Sequence, residues 1–176
     1  RLGVATVLMM IALIGGRVVP AFTRSWLVAA GHKKLPTPPM QQFDKLVLAV
    51  TAVALMTWVA MPLAGVTGVA LIEVGALHLV RLGRWQGHRT LREPLLWSLH
   101  LGYLCLPLGA LAEAGAILRP DLLALAAAQH LWMAGGFALM TLAVMTRATL
   151  GHTGRALTAG SGSVAIFICC IGAAAL

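Results

Sequence analysis

Six apolar runs, each near the length needed to cross a lipid bilayer and separated by short polar breaks, leave few folds open to this chain. A hydrocarbon core of about 30 Å takes roughly 20 helical residues, and a helix satisfies every backbone N–H and C=O within its own segment. The runs cover residues 2–20, 46–62, 66–82, 94–118, 121–145 and 157–176. They predict an all-α fold, a polytopic transmembrane bundle of about six helices forming one integral membrane domain. Composition points the same way: 60% of the residues are hydrophobic and 10% charged, whereas soluble domains carry about 25% charged residues. The chain opens on an apolar run directly after Arg1, without an initiator Met or a polar leader, as expected for a piece of a longer protein.

The breaks set the topology. Gly15, Gly16 and Pro20 are expected to end the first span, and a loop from Arg24 to Asp44 holds His32, Lys33, Lys34 and the Pro36, Pro38, Pro39 cluster. A tight turn through Gly65 and Gly68 leads into the third span. Pro94 suits the first turn of the fourth, where its missing N–H has no intrahelical partner. Consecutive spans alternate direction, so the loops after spans one, three and five share a side. That side gathers Arg17, Arg24, Lys33, Lys34, Lys45, Arg81, Arg84, Arg89, Arg92, Arg147 and Arg155, 11 of the 13 basic residues. Under the positive-inside rule it is cytoplasmic, which predicts a multi-pass protein of a bacterial-type cytoplasmic (inner) membrane. The net charge of +8 thereby reflects topology and not nucleic-acid binding.

Ionisable groups inside spans are expensive in lipid, so Glu73, His78, His100, Glu113 and His130 are the functional candidates. His78 and His100 fall at similar depth on different helices, where two imidazoles could clamp one haem iron with Arg84, Arg89 or Arg92 beside the propionates. Taken alone, His78 reads as an interfacial residue snorkelling beside Arg81. Trp97, His100, Tyr103 and Pro107 recur at three- and four-residue spacing and share a helix face, either a cofactor wall or a packed polar stripe. Glu73, Glu113 and His130 lie at broadly similar depth, which suits a proton relay, a hard metal site or a neutral hydrogen-bonded group. His152 sits in a glycine-flanked turn near Arg147 and Arg155, where it reads as a metal ligand, an anion contact or a simple loop residue. Cys105, Cys169 and Cys170 lack zinc-site spacing, and the scattered methionines read as packing. No nucleophile with a base, phosphate-cradling loop or CxxC motif occurs.

Four ordered segments carry a resemblance. They are Gly15-Gly16-Arg17 with Pro20-Ala21-Phe22-Thr23-Arg24; Arg84-Trp85-Gln86-Gly87 with Thr90-Leu91-Arg92-Glu93-Pro94-Leu95-Leu96-Trp97; Leu99-His100-Leu101-Gly102-Tyr103; and Leu142 to Arg147 running into Leu150-Gly151-His152-Thr153-Gly154-Arg155. In these the chain resembles the NnrS family. The resemblance implies a bacterial inner-membrane protein that contains haem and copper and is linked to nitric oxide metabolism and tolerance of nitrosative stress. It implies no defined catalysed reaction, so the chain is not expected to be an enzyme. It also implies that this is the C-terminal half of a longer protein, with the N-terminal half as a missing partner. Carried over by position, His100, His130 and His152 become the expected metal ligands, with Tyr103, Arg147 and Arg155 beside the cofactor. Around His130 the chain is bulkier than the family pattern. Two other functions stay open: half of a proton-coupled transporter using Glu73, Glu113 and His130, and a membrane haem subunit for electron transfer, which a single histidine in the outer half disfavours.

Overall fold

The apolar runs become helices α1 Leu2–Ala29, α2 Gln42–Ala60, α3 Gly65–Gly83, α4 Pro94–Leu118, α5 Leu125–His152 and α6 Ser161–Ala175. The structure, a computed structural model, describes residues 1–175, so Leu176 at the end of the sixth expected run lies outside the described residues. No strand occurs among them. The first five helices are long and apolar enough to cross a membrane, whereas α6 is shorter at 15 residues. This is a polytopic helical membrane protein.

Local chemistry accounts for the helix starts. At α2 a capping box forms: Gln41 N–H donates to Asp44 Oδ2 at 2.9 Å while the Gln41 side chain caps the third residue's backbone. At α4 the Glu93 side chain accepts from Leu95 N–H at 3.2 Å, and Pro94 fills the first helical position. Between α2 and α3 the chain turns in four residues, 61–64, where Thr67 Oγ1 donates to Met61 O at 2.6 Å.

Helix α1 corrects the sequence reading. It was expected to end at Pro20, yet it continues through Pro20 to Ala29 after a widened π-helical stretch at Ile11–Gly15. Glycine and proline break helices in water, where freed backbone groups find new partners. In lipid a break would leave those groups bare, so the helix persists and neighbouring side chains absorb the distortion. Helix α5 likewise begins at Leu125 instead of Asp121, runs on past Met145 to His152, and holds a second π-helical stretch at Leu131–Leu139.

α4 lies at the centre, packed on α3 and α5, with α6 against α5. Lipid tails are as apolar as leucine, so close packing and interhelical hydrogen bonds hold such a bundle together. Gly75 shows the closeness, since a Cβ there would sit 2.6 Å from Leu111 Cγ and 3.2 Å from the Pro107 carbonyl. Trp58 and Trp132 meet edge to face at 5.4 Å, and their indole N–H groups donate to Glu113 Oε1 and to the Leu106 carbonyl. The loops after α1 and α3 are tied at one end of the bundle: Arg89 donates to the Lys34 carbonyl at 2.7 Å and Arg84 to Gln41 Oε1 at 3.0 Å.

Candidate functional site

Two threonine–histidine pairs organise the basic end of the bundle. On α1, Thr23 Oγ1 donates to the Val19 carbonyl one turn back at 2.9 Å and meets His100 Nε2 of α4 at 2.9 Å. A hydroxyl has one hydrogen. With that hydrogen on Val19, Thr23 accepts, and His100 carries its proton on Nε2. The opposite tautomer would strand an N–H at Nδ1, and orphaned buried donors are rarer than orphaned acceptors. His100 Nδ1 therefore presents a lone pair, is buried and has no hydrogen-bond partner among the described residues.

The second pair repeats the device. Thr51 Oγ1 of α2 donates to the Val47 carbonyl at 2.7 Å and accepts from His78 Nε2 of α3 at 2.9 Å. Here Nδ1 is filled, because the Tyr103 hydroxyl donates to it at 2.8 Å. Tyr103 in turn accepts from Arg81 Nη1 at 2.9 Å, and Arg81 Nε donates to Asp44 Oδ1 at 2.7 Å. Arg81 Nη1 also reaches the Ala12 carbonyl in the widened stretch of α1 at 2.9 Å. Gly16 makes room for the guanidinium, since a Cβ there would lie 2.3 Å from Arg81 Nη2. His78, Arg81 and Tyr103 are fully buried and Asp44 is 2% exposed.

These contacts overturn two expectations. His78 is not an interfacial snorkelling residue, and Arg81 is not a loop cation, because each is the other's neighbour in a buried polar network inside the bundle. Nor do His78 and His100 clamp one site. Both nitrogens of His78 are engaged, and aromatic rings intervene: Tyr103 lies 4.6 Å from Trp85 in an edge contact, and Trp85 lies 6.4 Å from His100.

His100 lies on the wall of a cavity of about 540 Å³ between the end of α3 (Leu79, Leu82, Gly83), a 3₁₀ turn and the next residue (Gly87, His88, Leu91) and the start of α4 (Trp97, Leu101, Leu104). Small-molecule and cofactor sites run about 300–1,000 Å³ with mostly apolar walls. Gly87 covers the free nitrogen, and a Cβ there would meet His100 Nδ1 at 2.6 Å. His88 is exposed on the same wall. Arg92, next to Leu91, is exposed and makes no hydrogen bond or ion pair among the described residues.

The remaining expected ligands stand apart. His130 is exposed and its Nε2 pairs with the Ala173 carbonyl of α6 at 2.7 Å. His152 and Arg155 are exposed at the end of α5 and in the turn after it. Arg147 stacks over Phe22 at 4.2 Å, one residue before Thr23, and so approaches the back of the His100 pair. Of the expected proton-relay residues only Glu113 is buried, with Oε1 accepting from Trp58 and Gln129, while Glu73 faces outward on α3. Among the described residues no three or more His, Cys, Asp and Glu side chains come close enough to hold a metal ion.

Thr23, Thr51, Asp44, Trp85 and Gly87 escaped the sequence reading as site residues. Gly87 and Trp85 fall within the quoted Arg84-Trp85-Gln86-Gly87 segment, and the threonines become visible only when helix rotation is known. No curated protein and no solved structure matches this chain. The family model described as NnrS protein matches residues 1–176, so the chain belongs to the NnrS family.

Proposed function

We propose that this chain is a membrane haem protein of the nitric oxide response, lying in a bacterial cytoplasmic membrane with its basic loops inside, and that the cavity beside His100 takes the haem. The observation that carries the reading is His100, whose residue lines an apolar cavity of about 540 Å³ while its Nδ1, under Gly87, has no hydrogen-bond partner among the described residues. His100 and His88 are the residues that would hold the iron, and exposed Arg92 offers a cation to a propionate. Bound haem would supply an iron that takes nitric oxide as a ligand. The protein's own part is positional. Thr23 fixes the His100 ring and its tautomer by holding Nε2, as a hydrogen-bond partner on the far nitrogen of a ligating histidine does. Gly87 lies over Nδ1 with no side chain in the way, and Leu79, Leu82, Leu101 and Leu104 make the cavity wall apolar.

Copper finds less support here, since His130 and His152 each stand alone. They are retained as single ligands to be tested beside His100. The reading assigns no catalysed reaction.

The test is the Soret absorbance and copper content of purified chain with His100→Ala, His88→Ala, His130→Ala and His152→Ala variants, followed by nitric oxide addition. The expected result is a Soret band that falls at least several-fold in His100→Ala, survives in His130→Ala and His152→Ala, and shifts with nitric oxide. A wild-type chain free of haem after growth with haem supplied would sink the proposal.

A further inference from the structure

The nitrogen that would hold a ligand is covered. His100 Nδ1 is buried, and Gly87 packs on its ring: a Cβ there would meet Nδ1 at 2.6 Å, Cγ at 2.7 Å and Cε1 at 2.9 Å. A metal–imidazole bond is about 2 Å long, so a metal reaches this nitrogen only when its cover shifts. Gly87 opens the 3₁₀ turn Gly87–Thr90 in the segment between α3 and α4.

Polar ties hold that turn. None of its four residues brings an apolar side chain to the core, and Leu91, which follows it, is 70% exposed. Arg89 Nη1 donates both to Gln86 Oε1 and to the Lys34 carbonyl, each at 2.7 Å, which fastens the turn to the segment between α1 and α2. Thr90 Oγ1 donates to the Gly87 carbonyl at 2.8 Å. Two features oppose these bonds. Gln86 has φ +55°, in the left-handed region that strains any residue with a side chain. The lone pair of His100 Nδ1 is buried without a donor, which water or a ligand would supply. Segments held by a few exchangeable polar bonds over a site are the ones that open locally.

We infer that the turn from Gln86 to Thr90 is a lid over His100, latched by Arg89, and that it lifts to let a ligand reach Nδ1. Lifting relieves Gln86 and frees the lone pair, while the Arg89 bonds favour closure. The inference rests on the reading of His100 as the residue that holds haem, and it adds the step that admits the ligand and the residue that sets its rate.

The experiment uses the full chain purified in detergent. Diethyl pyrocarbonate acylates an imidazole nitrogen that carries an accessible lone pair, and mass spectrometry reads the rate at each histidine. His152, exposed at the end of α5, is the internal standard. In wild type His100 should react many-fold more slowly than His152. Arg89→Ala removes hydrogen bonds from a charged donor and should raise the His100 rate on the order of tenfold with His152 unchanged. Arg119→Ala, the loss of an exposed cation at the other end of α4, should change neither. Mixed with haem, Arg89→Ala should also develop its Soret band faster than wild type by a similar factor. Wild-type His100 reacting as fast as His152 would overturn the inference, and that ratio stands even if Arg89→Ala folds poorly. An Arg89→Ala chain with the wild-type His100 rate, or a Soret rate that does not follow the acylation rate, would overturn it too. A chain that takes up no haem sinks the haem reading alone, because acylation reports the lid without haem.

Discussion

Asp44 is the only carboxylate paired with Arg81 among the described residues, and both are buried at 2% and 0% exposure, so Asp44→Ala should be among the most destabilising substitutions in the chain. Removing one partner of a buried ion pair costs about 3–5 kcal/mol, because the other charge is left without compensation. Asp44 Oδ2 also accepts the Gln41 N–H in the capping box, and losing such a cap costs about 0.5–2 kcal/mol. The expected total is roughly 3.5–7 kcal/mol. Arg81→Met should cost a comparable amount, but the double variant should fall short of the sum by about 2 kcal/mol, since with both charges gone only packing and the cap are missing. The assay is equilibrium unfolding of the purified chain in mixed micelles titrated with SDS, followed by circular dichroism. Asp121 supplies the control. Arg119 holds its carboxyl below the usual aspartate range at 3.2 Å in an exposed turn, so its contribution is present above that range, is lost as pH falls through the lowered value, and is screened by water. Asp121→Asn should leave the curve in place. An Asp44→Ala variant within about 1 kcal/mol of wild type, or single and double variants that add within about 0.5 kcal/mol, would refute the argument.

Other outcomes follow from the same geometry. Gly87→Val should abolish the Soret band of haem-loaded chain while helix content is unchanged, because its side chain would enter the His100 ring; a normal band would separate Gly87 from the site. Thr23→Val strands the His100 N–H and should cost about 1–3 kcal/mol in micelle unfolding, with Thr23→Ser restoring most of it. Tyr103→Phe removes the link between Arg81 and His78 and should cost about 1–3 kcal/mol by the same assay, leaving the Soret maximum in place. A shifted maximum would show that Tyr103 acts on the His100 side.

Hydropathy reports where a chain enters and leaves the membrane, and here it carried the architecture a long way. Residues 94–118 were expected as the fourth span and α4 occupies Pro94–Leu118, because Pro94 and Glu93 mark that start chemically. Arg84 and Arg89, after α3, bond to Gln41 and to the Lys34 carbonyl in the segment between α1 and α2. Depth without rotation was the missing information. Glu73 and Glu113 looked equivalent by depth, yet one faces outward and the other lies among Trp58 and Gln129. Arg81 looked like the first cation of a loop, but one turn of rotation places it against Asp44. His100 was singled out from its face with Trp97 and Tyr103 and lines the cavity, whereas His130 and His152 belong to no group of three or more His, Cys, Asp and Glu among the described residues.

The Asp44–Arg81 bridge also bears on how the protein enters its membrane. Helices α2 and α3 are joined by only residues 61–64, and the bridge closes between the start of one and the end of the other. An arginine and an aspartate crossing separately would each need to shed water in lipid. As a hairpin the two helices can insert together with their charges already neutralised, both held at the same end of the bundle. Arg81 still has an N–H to offer the Ala12 carbonyl, so the same guanidinium that closes the hairpin also ties it to α1.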